Sequence, residues 1–457
     1  MKKVNWKGIL GLIGFIAMTM ASTTYAQYNI VIKTTKPLKS EKCIIAYYFG
    51  DKQLVFDTFE VKKNTCIIKG DSTLATGVYI AYYPDDTVFI EFLVPQNDQK
   101  FSLTFDPDDP ILSMQVKGSL DNQLFYEYNK KAAQLYKDSV AKADSIIITF
   151  GKSLAKKHPQ TFFAKLIKLI YLPNIPDTIE DPEEIWKYAY YHYFDGIDLS
   201  DEAYLRTPVL HNKVMTYLDR IVPIIPDSQC NAAIRIIKAS EKNPTTFKYW
   251  SATLLNKYAR SRIMGMENVY VCIVDSFYAN GKTPWVDSVT LSKILFDAQM
   301  IKYTMIGKVA PEIVLKDTAG RYISLHGVKS LYTVVLFWDP DCGHCRREIP
   351  KLKKIYEKYS RDTLEIYAVY VNVEKDKWLK YIRENKLEWI NVEDVEMKHP
   401  FRYYYYIKGT PKILLLDKDK KIIAKNINAE QLEKILEARI EGKKEEKVET
   451  TPEDSHH

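Results

Sequence analysis

The chain has 457 residues, 46% apolar and 27% charged, which suits about three domains at roughly 150 residues each and matches soluble globular proteins. That balance excludes a wholly disordered chain and a polytopic membrane protein. The formal net charge of +7 is mild and evenly spread, and it argues against a nucleic-acid partner.

At the start, Lys2, Lys3 and Lys7 precede an apolar stretch from Ile9 to Met20, and small and polar residues then lead to Thr24-Tyr25-Ala26. This is the pattern of a secretory signal, residues 1–26, cleaved after Ala26. The apolar stretch is shorter than the ~20 residues that span a bilayer, which weighs against an uncleaved anchor. Removing the segment takes away three lysines and no acids, so the net charge falls to +4. The expected location is the periplasm or exported cell envelope. Six cysteines remain: Cys43, Cys66, Cys230, Cys272, Cys342 and Cys345. Only the last two are closely spaced. In an oxidising compartment Cys43 and Cys66 are candidates for a bridge, with buried free thiols as the alternative.

Residues 27–117 read as an all-β sandwich. Short aromatic and β-branched runs (Asn29 to Lys33, Cys43 to Phe49, Leu54 to Val61, Cys66 to Ile68, Gly77 to Tyr83, Thr87 to Val94) are separated by Gly50-Asp51, Gly70-Asp71 and Pro84-Asp85-Asp86. Residues 118–302 read as an α-helical domain. Leu124, Phe125, Tyr128, Ala132 and Leu135 recur at helical spacing, and prolines such as Pro182, Pro226, Pro244 and Pro284 punctuate the rest of the region. Tyr188, Tyr190, Tyr191, Tyr193 and Phe194 form an aromatic cluster, read as bundle packing in preference to a ligand platform.

Residues 303–441 read as an α/β domain. Ile313 to Leu315 and Ile323 to Leu325 flank a turn, and Thr333 to Trp338 is a buried strand feeding a helix from Cys342. Leu364 to Val371 is a second such strand, succeeded by a helix with Trp378, Leu379 and Ile382. A hairpin of Lys412 to Leu416 and Lys421 to Lys425 precedes a last helix with Leu432, Ile435, Leu436 and Ile440. Residues 442–457 lack apolar residues to pack and read as a disordered tail.

The chemistry sits in Phe337-Trp338-Asp339-Pro340-Asp341-Cys342-Gly343-His344-Cys345-Arg346-Arg347-Glu348-Ile349-Pro350. Two thiols separated by two residues at a helix start can bridge, and the first lies near unsatisfied backbone N–H groups that stabilise a thiolate. A protonated His344 would favour the same ionised form, with Arg346 and Arg347 helping. Half of a zinc site is the competing reading, but no second close pair of Cys or His supplies the other ligands. The expectation is no metal and no cofactor.

Residues 306–440 resemble the TlpA-like branch of the thioredoxin superfamily, including Gly307-Lys308-Val309-Ala310-Pro311 with Leu315, Asp317, Gly320 and Leu325. The resemblance implies a thioredoxin-like fold, a cis bond before Pro411, and pairing of the Thr410 backbone with an extended substrate segment. It implies a proton-handling role for Glu348 and places Trp338, Gly343 and His344 with Thr410 and Pro411 on the substrate face. Leu336 stands where thioredoxin keeps a buried aspartate. Gly343-His344 matches protein disulfide isomerases and implies a couple more oxidising than thioredoxin by roughly 90 mV, about 4 kcal/mol in disulfide stability. The front of the chain resembles accessory regions that precede TlpA-like domains in bacterial envelope proteins, where a dimer surface or client selection is the expected role.

The reading is thus an exported thiol-disulfide oxidoreductase, reductase or isomerase in direction, with Cys342 as nucleophile and Cys345 as resolving thiol. Its partners would be protein thiols and disulfides and a membrane electron donor that the sequence does not identify. Two rivals stand beside it. One is an envelope binding or assembly protein with a redox-silent thioredoxin-like domain. The other is a peroxiredoxin-like peroxidase, against which Asp339-Pro340-Asp341 offers no hydroxyl before the cysteine.

Overall fold

The computed structural model describes residues 27–172 and 175–442; the expected signal segment and the tail from residue 443 lie outside the described residues. Contacts divide the chain near Tyr171. The part up to Tyr171, with Arg206–Pro208, forms one compact unit, and Leu172–Leu205 with the part from Val209 onward forms another.

In the first unit eight strands run β1 (Tyr28–Thr34), β2 (Lys42–Phe49), β3 (Lys52–Lys62), β4 (Thr65–Gly70), β5 (Gly77–Tyr83), β6 (Val88–Val94), β7 (Lys100–Phe105) and β8 (Gln115–Lys117). Their order is β6-β5-β2-β3-β4-β1-β7-β8, with only β1 and β7 parallel. The long β3 pairs with β2 along its length and with β4 only at Val61 and Lys62, so it carries the chain from one half of the layer to the other. The halves then face each other: Tyr83 of β5 meets Phe105 of β7 at 6.4 Å, and Phe92 of β6 meets Phe101 of β7 at 6.2 Å. Alternation explains this, since Ile30, Ile32, Cys66, Ile68, Leu103 and Phe105 are buried while their neighbours along each strand are more exposed. Three helices, Leu120–Lys137, Ala143–Lys157 and Phe162–Ile170, complete the unit. Asn122 fixes the first of them to β6 by accepting from the Leu93 N–H at 2.8 Å and donating to the Leu93 carbonyl at 2.7 Å.

The second unit begins with helices. Pro182, Pro226 and Pro244 each open one at its first position, where the missing N–H is harmless, and Asp181 and Asn243 cap two of them. The aromatic cluster packs around Tyr217, with Tyr193 and Phe194 rings each 5.0 Å away, while Tyr191 faces solvent. The cysteines answer a question that the sequence left open. Cys43 and Cys66 are free, fully buried thiols sharing a hydrogen bond, and that bond together with burial pushes the Cys43 thiol up. The disulfide joins Cys230 to Cys272, with Cα atoms 6.2 Å apart, tying the helix Pro226–Ala239 to the helix Glu267–Ile273. Spacing could not reveal this pair, because 42 residues separate its members.

The second unit ends in a seven-stranded sheet of β9 (Val314–Asp317), β10 (Tyr322–Ser324), β11 (Tyr332–Trp338), β12 (Leu364–Tyr370), β13 (Ile390–Glu393), β14 (Lys412–Leu416) and β15 (Ile422–Lys425), in the order β10-β9-β13-β12-β11-β14-β15. β11 is central, parallel to β12 and antiparallel to β14. From Val334 to Trp338 it is apolar because both faces are covered. Val334, Leu336 and Trp338 pack with Ile349, Leu352, Leu432 and Leu436 of the helices Gly343–Lys358 and Ala429–Glu441, and Val335 and Phe337 pack with Phe401 and Tyr405. The chain is therefore multidomain, with an all-β front, a helical middle and a thioredoxin-like α/β end. β7, β8 and β13 were not expected from the sequence. β13 is four residues long and carries the buried Asn391, whose amide serves the carbonyls of Leu387 and Trp389, so it shows no apolar run.

The substitution Cys272→Ser, which opens a 42-residue loop, is expected to destabilise the second unit by about 2–4 kcal/mol. Urea unfolding followed by tryptophan fluorescence measures it, and an unchanged transition would mean the bridge contributes nothing.

Candidate active site

β11 ends at Trp338, and the chain turns through Asp339-Pro340-Asp341 into the helix Gly343–Lys358, for which Cys342 is the N-cap. The turn is held from several sides. The Cys342 N–H donates to the Asp339 carbonyl at 3.1 Å, the Asp341 N–H to the Asp339 carboxylate at 2.9 Å, and Asn372 to the other oxygen of that carboxylate at 2.9 Å. Arg346 Nε donates to the Pro340 carbonyl at 2.6 Å, and Lys377 reaches Asp341 at 3.0 Å. The first thiol is thereby fixed at the open end of the helix, where backbone N–H groups lack intrahelical partners.

The two sulfurs sit in opposite surroundings. Cys342 is half-buried and its Sγ lies 3.2 Å from the Thr410 carbonyl. Burial alone would raise its pKa, but hydrogen bonds from the Thr410 side chain, from the Cys345 N–H and thiol and from the His344 N–H outweigh burial and hold it below the ordinary thiol value. Cys345, at 0% exposure, is pushed up to about 12, chiefly by burial. One thiol is thus ready to ionise and its neighbour is held protonated.

Across from the pair, the Thr410–Pro411 bond is cis, and β14 begins at the next residue. Gly343, His344, Thr410 and Pro411 are exposed or half-buried around Cys342. Trp338 is a correction. At 0% exposure, with its ring 5.5 Å from that of Tyr381, it belongs to the core and offers no face to a substrate. The exposed His344 ring meets Arg347 Nη2 through its Nδ1 at 3.0 Å.

Glu348, to which the resemblance gives a proton-handling role, is largely covered. Its side chain is 15% exposed; one carboxylate oxygen accepts from the Ala429 N–H at 2.7 Å and the other lies 3.4 Å from Lys351. It therefore joins the helix of the cysteine pair to the first turn of the helix Ala429–Glu441. Leu336 is wholly buried in the core. Sequence reasoning missed Lys412, which comes directly after Pro411 and donates to the carbonyls of Tyr405 and Tyr406 at 2.7 and 3.3 Å. A lysine opening an otherwise apolar strand was the available signal. Among the described residues no group of three or more His, Cys, Asp or Glu could hold a metal ion.

Residues 306–425 match the AhpC/TSA family, and residues 134–304 match a domain of unknown function, DUF5106. The thiol-disulfide oxidoreductase ResA of Bacillus cereus is 30% identical over 135 residues, covering 29% of this chain and 77% of the relative. ResA of Geobacillus thermodenitrificans is 29% identical over 136 residues, covering 29% and 77%. Among solved structures, a thioredoxin-like protein from Bacteroides caccae aligns with 58% of this chain and 97% of its own, at 23% identity and a TM-score of 0.49. The thioredoxin domain of a thiol-disulfide oxidoreductase from Bacteroides vulgatus aligns with 30% of this chain and 97% of its own, at 33% identity and a TM-score of 0.28.

In the reduced protein, Cys342 is expected to react with iodoacetamide first. Its rate should rise with pH through a midpoint below that of a free thiol, while Cys345 stays unmodified until unfolding. Mass spectrometry of quenched time points reads this, and equal labelling of the two thiols at neutral pH would contradict the asymmetry.

Proposed function

The chain belongs to the ResA/TlpA-like family of thiol-disulfide oxidoreductases, and from that premise we propose that it is an exported enzyme exchanging disulfides with protein substrates through Cys342-Gly343-His344-Cys345. The observation that carries this reading is the opposed state of the two thiols: an exposed edge with a lowered pKa at Cys342, and a buried, protonated Cys345 beside it.

The Cys342 thiolate attacks one sulfur of a substrate disulfide, forming a mixed disulfide and releasing the other sulfur as a thiolate. Cys345 then loses its proton and attacks Cys342. The protein disulfide closes, the second substrate sulfur departs, and two electrons have passed to the substrate. Run backwards, the same steps oxidise a dithiol. Resolution requires a proton acceptor for Cys345, and the family resemblance assigns that role to Glu348, three residues on in the same helix, whose carboxylate is held by Ala429 and Lys351. Thr410 and Pro411 form the face on which an extended substrate segment would add as a strand. A membrane-borne donor would renew the electrons.

Export rests on the Lys2-to-Ala26 pattern. Among the described residues no helix is long and apolar enough to cross a membrane. Peroxide reduction is a second reading, because Ala310-Pro311 and the hairpin after it resemble the opening of peroxiredoxin-like domains. Asp339-Pro340-Asp341 weighs against it, since peroxide activation calls for a hydroxyl before the attacking cysteine and none stands there.

The Cys345→Ser protein is expected to accumulate mixed disulfides with client thiols, and Cys342→Ser to trap none, as read on non-reducing gels; the opposite result would exchange the two roles. Glu348→Gln should slow closure of the protein disulfide about tenfold or more while leaving the first attack nearly unchanged. Stopped-flow measurement of both phases separates the effects, and an unaltered second phase removes Glu348 from proton transfer. Equilibration with glutathione buffers should give one cooperative two-electron transition. A pair that never closes would leave the binding-protein reading in its place.

A further inference from the structure

The substrate face at Thr410 and Pro411 is not open on all sides. Within the second unit, Tyr258, Glu267, Tyr270 and Asp297 of the helical stretch stand opposite His344, Pro411 and Lys412 and enclose a cavity of about 660 Å³. That volume is in the range of roughly 300–1,000 Å³ usual for small-molecule sites. A cavity of that size takes a short extended segment of chain.

The charges around the cavity are mostly matched. Glu267 pairs with Lys425 at 2.7 Å, Asp297 takes the Tyr406 hydroxyl and lies 3.9 Å from Lys408, and Lys351 sits between Glu348 and Glu430. Two cations are left over. Lys412 donates only to the carbonyls of Tyr405 and Tyr406, and Arg347 to His344, with no carboxylate in ion-pair contact with either among the described residues. Burial of an ammonium without an anion is unfavourable. Consistent with this, burial and then the neighbouring Lys425 charge push Lys412 down to about 8. A ligand carboxylate would supply the missing partner, one residue beyond Pro411.

We propose that this cavity is a specificity site for a carboxylate carried close to the substrate's cysteine, with Lys412 as its principal partner and the helical stretch as its opposite wall. The proposal rests on the disulfide-exchange reading and adds a substrate class to it. The carboxylate can come from an acidic side chain beside the cysteine or from a chain terminus next to it.

The test uses the full-length reduced protein and symmetric peptide disulfides, with second-order rate constants from acid-quenched thiol alkylation. Three peptides are compared: a neutral one ending in an amide, the same with glutamate next to cysteine, and the neutral sequence ending in a free carboxylate at the cysteine. One or both acidic peptides are expected to react about tenfold faster than the neutral amide at low salt, and which of them does so identifies the source. That ratio should fall to about one in Lys412→Gln and persist in Lys412→Arg. Equal rates for all three peptides with the wild-type protein, or an undiminished ratio in a folded Lys412→Gln, would overturn the assignment while leaving disulfide exchange intact. Failure of every peptide to react would remove the exchange reading itself, and this inference with it. The wild-type series decides the question even where a variant does not fold.

Discussion

The open N-terminal turn of one helix sets the terms for everything around it. A thiolate is stabilised at Cys342 because the His344 and Cys345 N–H groups have no carbonyl four residues back to bond, and a sulfur has been placed where those partners are missing. Moving the cysteine one turn into the helix would bury it like Cys345 and reverse the effect, as the opposite shift of its neighbour three residues on demonstrates.

Holding that turn still is the task of the surrounding fold. The strand that delivers it, β11, lies in the middle of the sheet with ladders on both sides, so its end cannot fray as an edge strand's can. Trp338 and Cys345 plug the core beneath the turn, Arg346 and Lys377 tie down its outer side, and Thr410 lies against the sulfur. Glu348 connects the helix to a second helix N-terminus at Ala429. The reactive sulfur thus sits on a turn fixed from several sides.

Much of this was legible in the residues. The run Thr333 to Trp338 announced a strand buried on both faces, and the close cysteine pair behind it announced a helix start with redox chemistry; both rest on local pattern, which a sequence displays directly. What escaped depended on contacts far apart in the chain. The Cys230–Cys272 bridge joins two helices whose spacing carries no signal, and the buried state of Trp338 arises from Tyr381 packing over it. Lys412 looked like an ordinary strand-opening lysine, and its isolation from carboxylates emerges only when Glu267 and Asp297 are found occupied by other partners.

The parallel pairing of β1 with β7 has a bearing on how the front of the chain folds. β1 takes one neighbour from Thr65–Gly70 and the other from Lys100–Phe105, so its second edge stays open until the chain has been made as far as Phe105. Loop closure over such a span is slow compared with hairpin formation. The hairpins β2–β3 and β5–β6 can form early from adjacent residues. The first strand of the layer therefore completes its pairing only once the chain as far as Phe105 is available, whereas those hairpins need only neighbouring residues.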